Sequence, residues 1–396
     1  MSLKKIITRN IFILSLVSLF TDVASEMLYP VMPIYLKHIG FSILLIGILE
    51  GFAEAIAGLS KGYFGKRSDI SGRRLPFVQL GYALSAISKP MMAMWVYPLW
   101  VFFARSIDRI GKGVRTGARD ALLSDEATPQ TKGRVFGFHR ALDTLGAVVG
   151  PLLALIYLLY RPNDYKTLFY LAFIPGVVAI ALTFLIREKK YTASNVPMPS
   201  VKLFAFMSYW RESSVAYRRL VAGLLLFTLV NSSDVFLLLK IKETGLSDSS
   251  VIGVYIFYNL VYALFAYPLG GLADKLGMKT VLVIGLMLFA VVYFGMAFAH
   301  TWVAFVVLFL LYGIYAAATE GVSKAWISNI CEKSHTATAI GAFTGFQSIA
   351  TLLASSLAGW VWYTWGASAT FLLSAIVALL VALYVSQLAY EHIEQC

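Results

Sequence analysis

The sequence predicts an all-α membrane protein: twelve transmembrane helices in two six-helix bundles related by a pseudo-two-fold axis. Three observations predict it. The 396 residues are 59% hydrophobic and only 14% charged, with a mean hydropathy of +0.74, far from the composition of soluble domains. Apolar stretches of about 20 residues, the length a helix needs to cross roughly 30 Å of hydrocarbon, recur from near residue 11 to near residue 389. The two halves also align on one another at a constant offset of 205 residues, which pairs Gly40 with Gly245, Ser42 with Ser247, Phe52 with Phe257, Gly65 with Gly270, Asp69 with Asp274 and Gly72 with Gly277. An offset that holds over two stretches and a loop marks an internal repeat.

In chain order the predicted spans are 11–36, 43–64, 76–96, 98–119, 138–160, 167–187, 219–241, 250–270, 279–299, 303–326, 339–362 and 368–389. The first is expected to be retained: Asp22 and Glu26 stand where a signal peptide is purely apolar. The connections are short except for residues 188–218, a polar, Lys-rich segment containing Pro197 and Pro199, read as a linker. The expected organisation is therefore a bundle over 1–187, a cytoplasmic linker over 188–218 and a second bundle over 219–396. Parallel repeats about an axis along the membrane normal lead to the expectation of a transporter with its site between the halves near the midplane.

The net charge of +12 does not point to nucleic acid, because the cations sort by loop. Lys4, Lys5 and Arg9 precede the first span, Lys66, Arg67, Arg73 and Arg74 follow the second, and Lys132 and Arg134 follow the fourth. Arg187, Lys189, Lys190, Lys202, Arg211, Arg218 and Arg219 lie between the sixth and seventh, whereas the alternate loops carry only Lys37, Arg161, Lys166, Lys240 and Lys242. This positive-inside bias places both termini in the cytoplasm of a cell whose inner membrane holds the protein. Cys331 and Cys396 are the only cysteines and fall on the cytoplasmic side, so neither a disulfide framework nor a metal site is indicated.

Residues 65–74 read GKRSDISGRR and residues 270–279 read GGLADKLGMK. Gly65, Asp69, Gly72, Arg73 and Arg74, with their echo Gly270, Asp274, Gly277 and Lys279, resemble the cytoplasmic signature G-x-x-x-D-x-x-G-R-[KR] of the major facilitator superfamily. Two occurrences, one per half, make the resemblance specific, and it covers essentially the whole chain. It implies that glycines bring two helix ends close while Asp69 and the arginines form a latch at the cytoplasmic mouth. Gly137, Gly146, Gly150 and Pro151 in the fifth span look like that family's antiporter motif, departing from it where Ala154 and Leu155 replace a glycine pair. Close helix packing is the plainer role of such a run. In the fourth span Arg105 stands where the family's proton-transfer arginine is expected, with Arg109 where that motif has glycine.

An ionisable residue at mid-membrane is unfavourable by about 2.5 to 3.5 kcal/mol for Asp, Lys or Arg, so its default reading is functional. Asp22, Glu26 and Tyr29 fall within about 60° on the first span, and Glu50 and Glu54 lie one turn apart on the second with Lys61 on the same face. Arg105, Asp108, Arg109, Lys112, Arg115 and Arg119 occupy an arc of about 120° on the fourth; Arg115, Arg119 and Asp120, nearest its end, are read as topology or gating residues. His139, Asp143, Gly146 and Gly150 share one face of the fifth. In the second half only Asp234, Glu320 and Lys324 are comparable, the partners of Glu26, Glu50 and Glu54 being Asn231, Tyr255 and Asn259. The acidic groups could simply pair with the fourth-span cations as a buried network. The functional expectation is proton coupling at Asp22, Glu26, Glu50, Glu54 or Asp143, since a desolvated carboxylate can exchange a proton near neutral pH. Substrate would then meet Tyr29, Arg105, Asp108, Arg109 and Lys112. Guanidinium groups in a low-dielectric space suit carboxylates or phosphates, which makes an organic anion the leading cargo. Tyr255, Tyr258, Tyr262, Tyr312 and Tyr315 are expected mostly to pack.

The leading expectation is a proton-coupled antiporter, acting as a monomer by alternating access, that exports an anionic or amphipathic metabolite, siderophore or drug. A proton symporter importing such an anion is the alternative, and a non-transporting receptor on the same scaffold the third reading. No nucleotide loop, metal cluster or nucleophile triad stands out, so neither a catalytic residue nor a cofactor is expected and an enzyme is the least supported class.

Overall fold

A computed structural model describes residues 6–29, 31–32, 35–36, 39–41, 43–188, 205–231, 234–245 and 248–388. Ser42, Ser247, Lys4, Lys5, Lys37, Lys189, Lys190, Lys202 and Cys396 lie outside them, as do the side chains of Glu50 and Glu54. Among the described residues the chain is helical throughout, with no strand: α1 (Arg9–Glu26), α2 (Ile43–Ser71), α3 (Leu75–Met94), α4 (Pro98–Asp125), α5 (Lys132–Tyr160), α6 (Tyr165–Thr183), α7 (Ala205–Glu212), α8 (Val215–Thr228), α9 (Val235–Glu243), α10 (Asp248–Leu276), α11 (Met278–Phe298), α12 (Trp302–Asn329) and α13 (Thr336–Ser386). Six stretches, one of them covering all of Lys333–Ser386, are long and apolar enough to cross a membrane.

Local chemistry sets the ends. Thr8, Asp164, Ser214 and Thr301 cap α1, α6, α8 and α12 by accepting from a backbone N–H three residues on. Proline enters the first turn of α3 and α4, where no N–H is needed. After α2 and α10 the chain leaves the helix through Gly72 (φ 62°) and Gly277 (φ 94°), in the left-handed region that glycine enters without a Cβ penalty. These are repeat partners, and so are Gly40 (φ 91°) and Gly245 (φ 83°). The repeat seen in sequence is thus also a repeat of backbone conformation.

Two predicted spans differ from the helices found. The first, 11–36, is helical to Glu26, turns over Met27–Tyr29, just before Pro30, whose ring disfavours a helical residue ahead of it, and is helical again at Met32, Tyr35 and Leu36. The seventh, 219–241, is broken between Thr228 and Val235, where the side chains of Asn231 and Asp234 turn to Tyr315 and Tyr312. Glu26 and Tyr29 align with Asn231 and Asp234, so the first helix of each half breaks in the same place. The eleventh and twelfth spans form α13, divided at Gly366 (φ 86°).

The chain divides into two compact units. Unit 1 comprises residues 1–126, 142–212 and 332–348, and unit 2 comprises 127–141, 213–331 and 349–396. In unit 1, α4 packs against α2 and α3, and α6 against α1 and α3. Its core includes Met27, Leu36, Leu49, Met92 and Leu168, with Tyr35 set edge-on to Phe169 at 4.9 Å between centroids. In unit 2, α12 packs against α10 and α11, repeating the pairing of α4 with α2 and α3. Phe289, stacked on Tyr293 at 3.9 Å and edge-on to Phe227 at 4.8 Å, lies at the centre of its core.

Candidate transport site

Within unit 1, α5 lies hard against α1 because Gly146 and Gly150 carry no side chain. A Cβ on Gly146 would stand 2.6 Å from the Leu19 carbonyl oxygen and 2.9 Å from the Asp22 Cβ, and one on Gly150 would stand 2.7 Å from the Met27 nitrogen. The approach delivers Asp143 to α1, where Ser18 Oγ donates to Asp143 Oδ1 and the Asp22 and Asp143 carboxyl groups are close enough to act on each other electrostatically. Two carboxylates this near repel, and a proton held by either one relieves the repulsion. Arg119 completes the cluster from α4: its Nη1 donates to Ser18 Oγ at 3.3 Å and lies 4.0 Å from Asp143, while its Nε donates to Asp120 at 2.9 Å.

Glu26, one turn beyond Asp22, takes its strongest positive potential from Lys112 and then Arg109. Lys112 also acts on Asp22. Of residues 111–124 on α4, Lys112 alone is exposed. A cation on a spanning helix does not face lipid, so this edge of α4 faces water. Deeper in the packing, Lys89 Nζ donates to Asp108 Oδ1 at 2.7 Å and Arg105 lies 3.7 Å from Asp108 Oδ2. All three are buried, an arrangement tolerable only because the charges pair. Arg115 donates to Ser85 Oγ at 2.6 Å and lies over the Tyr82 ring.

Unit 2 places Asp234 at the start of α9, where it accepts from Tyr312 Oη at 2.6 Å. Tyr258, Tyr312, Tyr293 and Tyr315 are buried around it, and Asn231 donates to Tyr315 Oη at 3.0 Å. The two repeats are interrupted at matched positions, one break leading to Glu26 and Tyr29 and the other to Asn231 and Asp234.

The two signature loops make equivalent latches. Asp69 accepts from Ala337 N at 3.3 Å, Thr338 N at 2.6 Å and Thr338 Oγ1 at 2.8 Å, capping the start of α13. Asp274 accepts from Gly133 N at 2.7 Å and Arg134 N at 3.0 Å, at the start of α5. Each carboxylate satisfies orphan N–H groups at the positive end of a helix. Gly65 and Gly270 allow it: a Cβ on Gly65 would be 2.5 Å from the Ala337 carbonyl oxygen, and one on Gly270 would collide with the Gly133 carbonyl. Arg74 bridges Asp69 at 3.2 Å and Asp125 at 2.6 Å. Burial pushes the Asp69 carboxyl, which lies beyond the apolar stretch ending at residue 64, up to about 6 against the opposing pull of Arg74 and the Thr338 donors.

The sequence profile of the Major Facilitator Superfamily matches residues 14–256 and 237–391. The chain belongs to the major facilitator superfamily. It is a membrane transporter of that fold, and small-molecule solutes are the cargo of such proteins. A major-facilitator-type transporter of Methanocaldococcus jannaschii is 32% identical over 94% of this chain and 93% of its own length. The multidrug resistance protein MdtG of Serratia proteamaculans is 23% identical over 95% and 92%. Among solved structures, the human organic anion transporter MFSD10 superposes with a TM-score of 0.77 at 17% identity, covering 95% of this chain and 99% of the other. The Escherichia coli fucose:proton symporter superposes with a TM-score of 0.73 at 14% identity, covering 96% and 98%. At these identities the superpositions establish the fold.

On this major-facilitator scaffold the candidate residues fall into groups. Asp22 and Asp143 are together, Glu26 lies with Arg109 and Lys112, and Arg105 and Asp108 belong to a buried ion cluster. Tyr29 lies in the turn past α1, 51% exposed. Arg73 is exposed, leaving the latch to Arg74. In the second latch the cation beside Asp274 is Arg134 at 3.8 Å, whereas Lys279 Nζ donates to the Ser386 and Leu388 carbonyls. Gly137, Gly146 and Gly150 all serve close packing, and Pro151 lies inside α5. Arg119 and Asp120, expected near the loops, are buried in the carboxyl cluster.

Sequence reasoning missed Lys89, Ser18 and Arg140. A lone lysine in the apolar run of α3 was itself a signal that an acidic partner waits at its depth, and Arg140 stands beside the singled-out His139. Ser18, an ordinary small residue of an apolar helix, carried no signal.

Proposed function

We propose that this protein couples a proton to the passage of a small organic anion across an inner membrane, by alternating access, with both termini in the cytoplasm. What carries the proposal is the close approach of Asp143, brought by Gly146 and Gly150, to Asp22 and Lys112. With the shared proton in place, the pair holds one negative charge and Lys112 is available to an anion. Once the proton leaves, the added carboxylate draws on the same ammonium and disfavours that anion. Proton and anion therefore bind together, which favours symport. Arg109 would join Lys112 in gripping a carboxylate.

Export by proton antiport is the second reading. It is supported by the relatives named multidrug resistance proteins, at 23% and 25% identity, and by the glycine run of α5. That run already has a packing role against α1, so it weighs less than the electrostatics. In both readings the two latches brace helix ends beside the cytoplasmic loops, and their release accompanies the change of access.

Proton-driven accumulation of benzoate, citrate and benzenesulfonate in membrane vesicles tests the proposal. Asp22→Asn and Asp143→Asn should abolish the dependence on the proton gradient while Glu26→Gln weakens it. Unchanged gradient dependence in all three variants would refute it.

A further inference from the structure

Arg140, on the part of α5 that belongs to unit 2, is held in place from two directions. Gly137, one turn earlier, lets α5 lie on α10 at Ala266, where any Cβ would collide with the carbonyl oxygen. That contact sets Arg140 opposite Tyr262, one turn earlier on α10. Its Nε donates to Tyr262 Oη at 2.7 Å, and the guanidinium lies 5.8 Å from the ring centroid. Tyr262 is buried, so the cationic head has a fixed seat.

The same head is also paired with Glu320 of α12 through Nη2 and Oε2. Glu320 is unlike its neighbours: residues 315–319 and 321–323 are buried, while its side chain is 43% exposed. A carboxylate on a spanning helix does not open onto lipid, so it approaches Arg140 from a watered face. The guanidinium is thus partly accessible, anchored to a buried tyrosine and paired with a partly exposed carboxylate.

We infer that Arg140 is a second anion seat, for a carboxylate or sulfonate, and that Glu320 is the chain's own stand-in for the cargo's acidic group. A guanidinium grips either acid by the same charge-assisted hydrogen bonds, so cargo binding exchanges one carboxylate for another and the empty seat is never left as a bare charge. The inference rests on the reading that the cargo is an anion. It adds a residue outside the α4 cations and makes Glu320 a competitor that sets affinity.

The test is titration of the purified full-length protein in nanodiscs with benzoate, citrate and benzenesulfonate, following heat and melting temperature. Glu320→Gln should bind at least one of these anions about tenfold more tightly than the wild type, and adding Arg140→Gln should erase the gain. Glu320→Asp, one methylene shorter, should move affinity the same way by less and stands in if the glutamine variant does not fold. A purely structural ion pair would instead lower the melting temperature and leave affinity alone, which would overturn the inference. Binding that weakens in Lys112→Gln but ignores both Arg140 and Glu320 would also overturn it while sparing the proposed anion cargo. Failure of the wild type and every variant to bind any of the three would overturn both.

Discussion

Replacing Asp69 with alanine removes the acceptor that holds the start of α13. Three donors converge on this carboxylate, from Ala337 N, Thr338 N and Thr338 Oγ1, at 3.3, 2.6 and 2.8 Å. Loss of a capping acceptor destabilises a helix end by about 0.5–2 kcal/mol, and a buried N–H left without a partner costs about 1–3 kcal/mol. Arg74 keeps Asp125 at 2.6 Å, so it adds little. A net loss of about 2 kcal/mol moves the latch toward its open form about 30-fold. Ser68→Cys, isosteric at a fully buried position, reports this when Cys331 and Cys396 are replaced by serine. In nanodiscs a maleimide should label the Asp69→Ala protein at least about tenfold faster than the parent.

The pH dependence follows from the same residue. Because burial holds Asp69 at about 6, above the ordinary 3.8, the closed latch binds the proton more tightly than a hydrated carboxyl does. Its contribution is complete below pH 3.8 and is lost as pH rises through 6. Between pH 8 and pH 5 the closed-to-open ratio should rise about tenfold in the parent and stay flat in Asp69→Ala. Equal labelling of the two proteins, or a pH response that survives the substitution, would refute the latch argument.

Lys89→Met should destabilise unit 1 by about 3–5 kcal/mol by leaving Asp108 buried beside one fewer cation, with much of the loss recovered in Lys89→Met/Asp108→Leu, as read from melting temperatures. Gly65→Val should abolish transport, because its Cβ alone falls 2.5 Å from the Ala337 carbonyl; overpacking of this kind costs about 1–3 kcal/mol and should appear as faster labelling at Ser68→Cys. Tyr312→Phe should lower the melting temperature by the equivalent of about 1–3 kcal/mol, since Asp234 loses the donor at 2.6 Å.

The helical class, the repeat and the two latches could be read from the sequence because each rests on local chemistry: apolar length, the 205-residue offset and a glycine–aspartate spacing. The repeated loops even share their left-handed glycines, Gly72 and Gly277. What could not be read is which helix faces which. An α4 arc drawn at 100° per residue groups Arg105, Asp108, Arg109 and Lys112 as one ribbon, yet the first two turn into the packing toward Lys89 while Lys112 alone reaches the open edge. The breaks after Glu26 and Thr228 were hidden because apolar residues continue through them, and hydropathy does not register that Asn231 and Asp234 turn to tyrosines of α12. Asp22 and Asp143 were candidates on separate helices. Only the packing of Gly146 and Gly150 on α1 brings them together.

The central claim is that a proton and an organic anion move together through unit 1's carboxyl pair and its lysine. Its most direct test loads liposomes carrying the protein with a pH-sensitive dye and adds benzenesulfonate outside, an anion that cannot cross as a neutral acid. Symport predicts that the interior acidifies as the anion enters and that Asp143→Asn abolishes the signal. Interior alkalinisation would reverse the coupling to antiport, and a signal evoked only by lipophilic cations would contradict the anion seat itself.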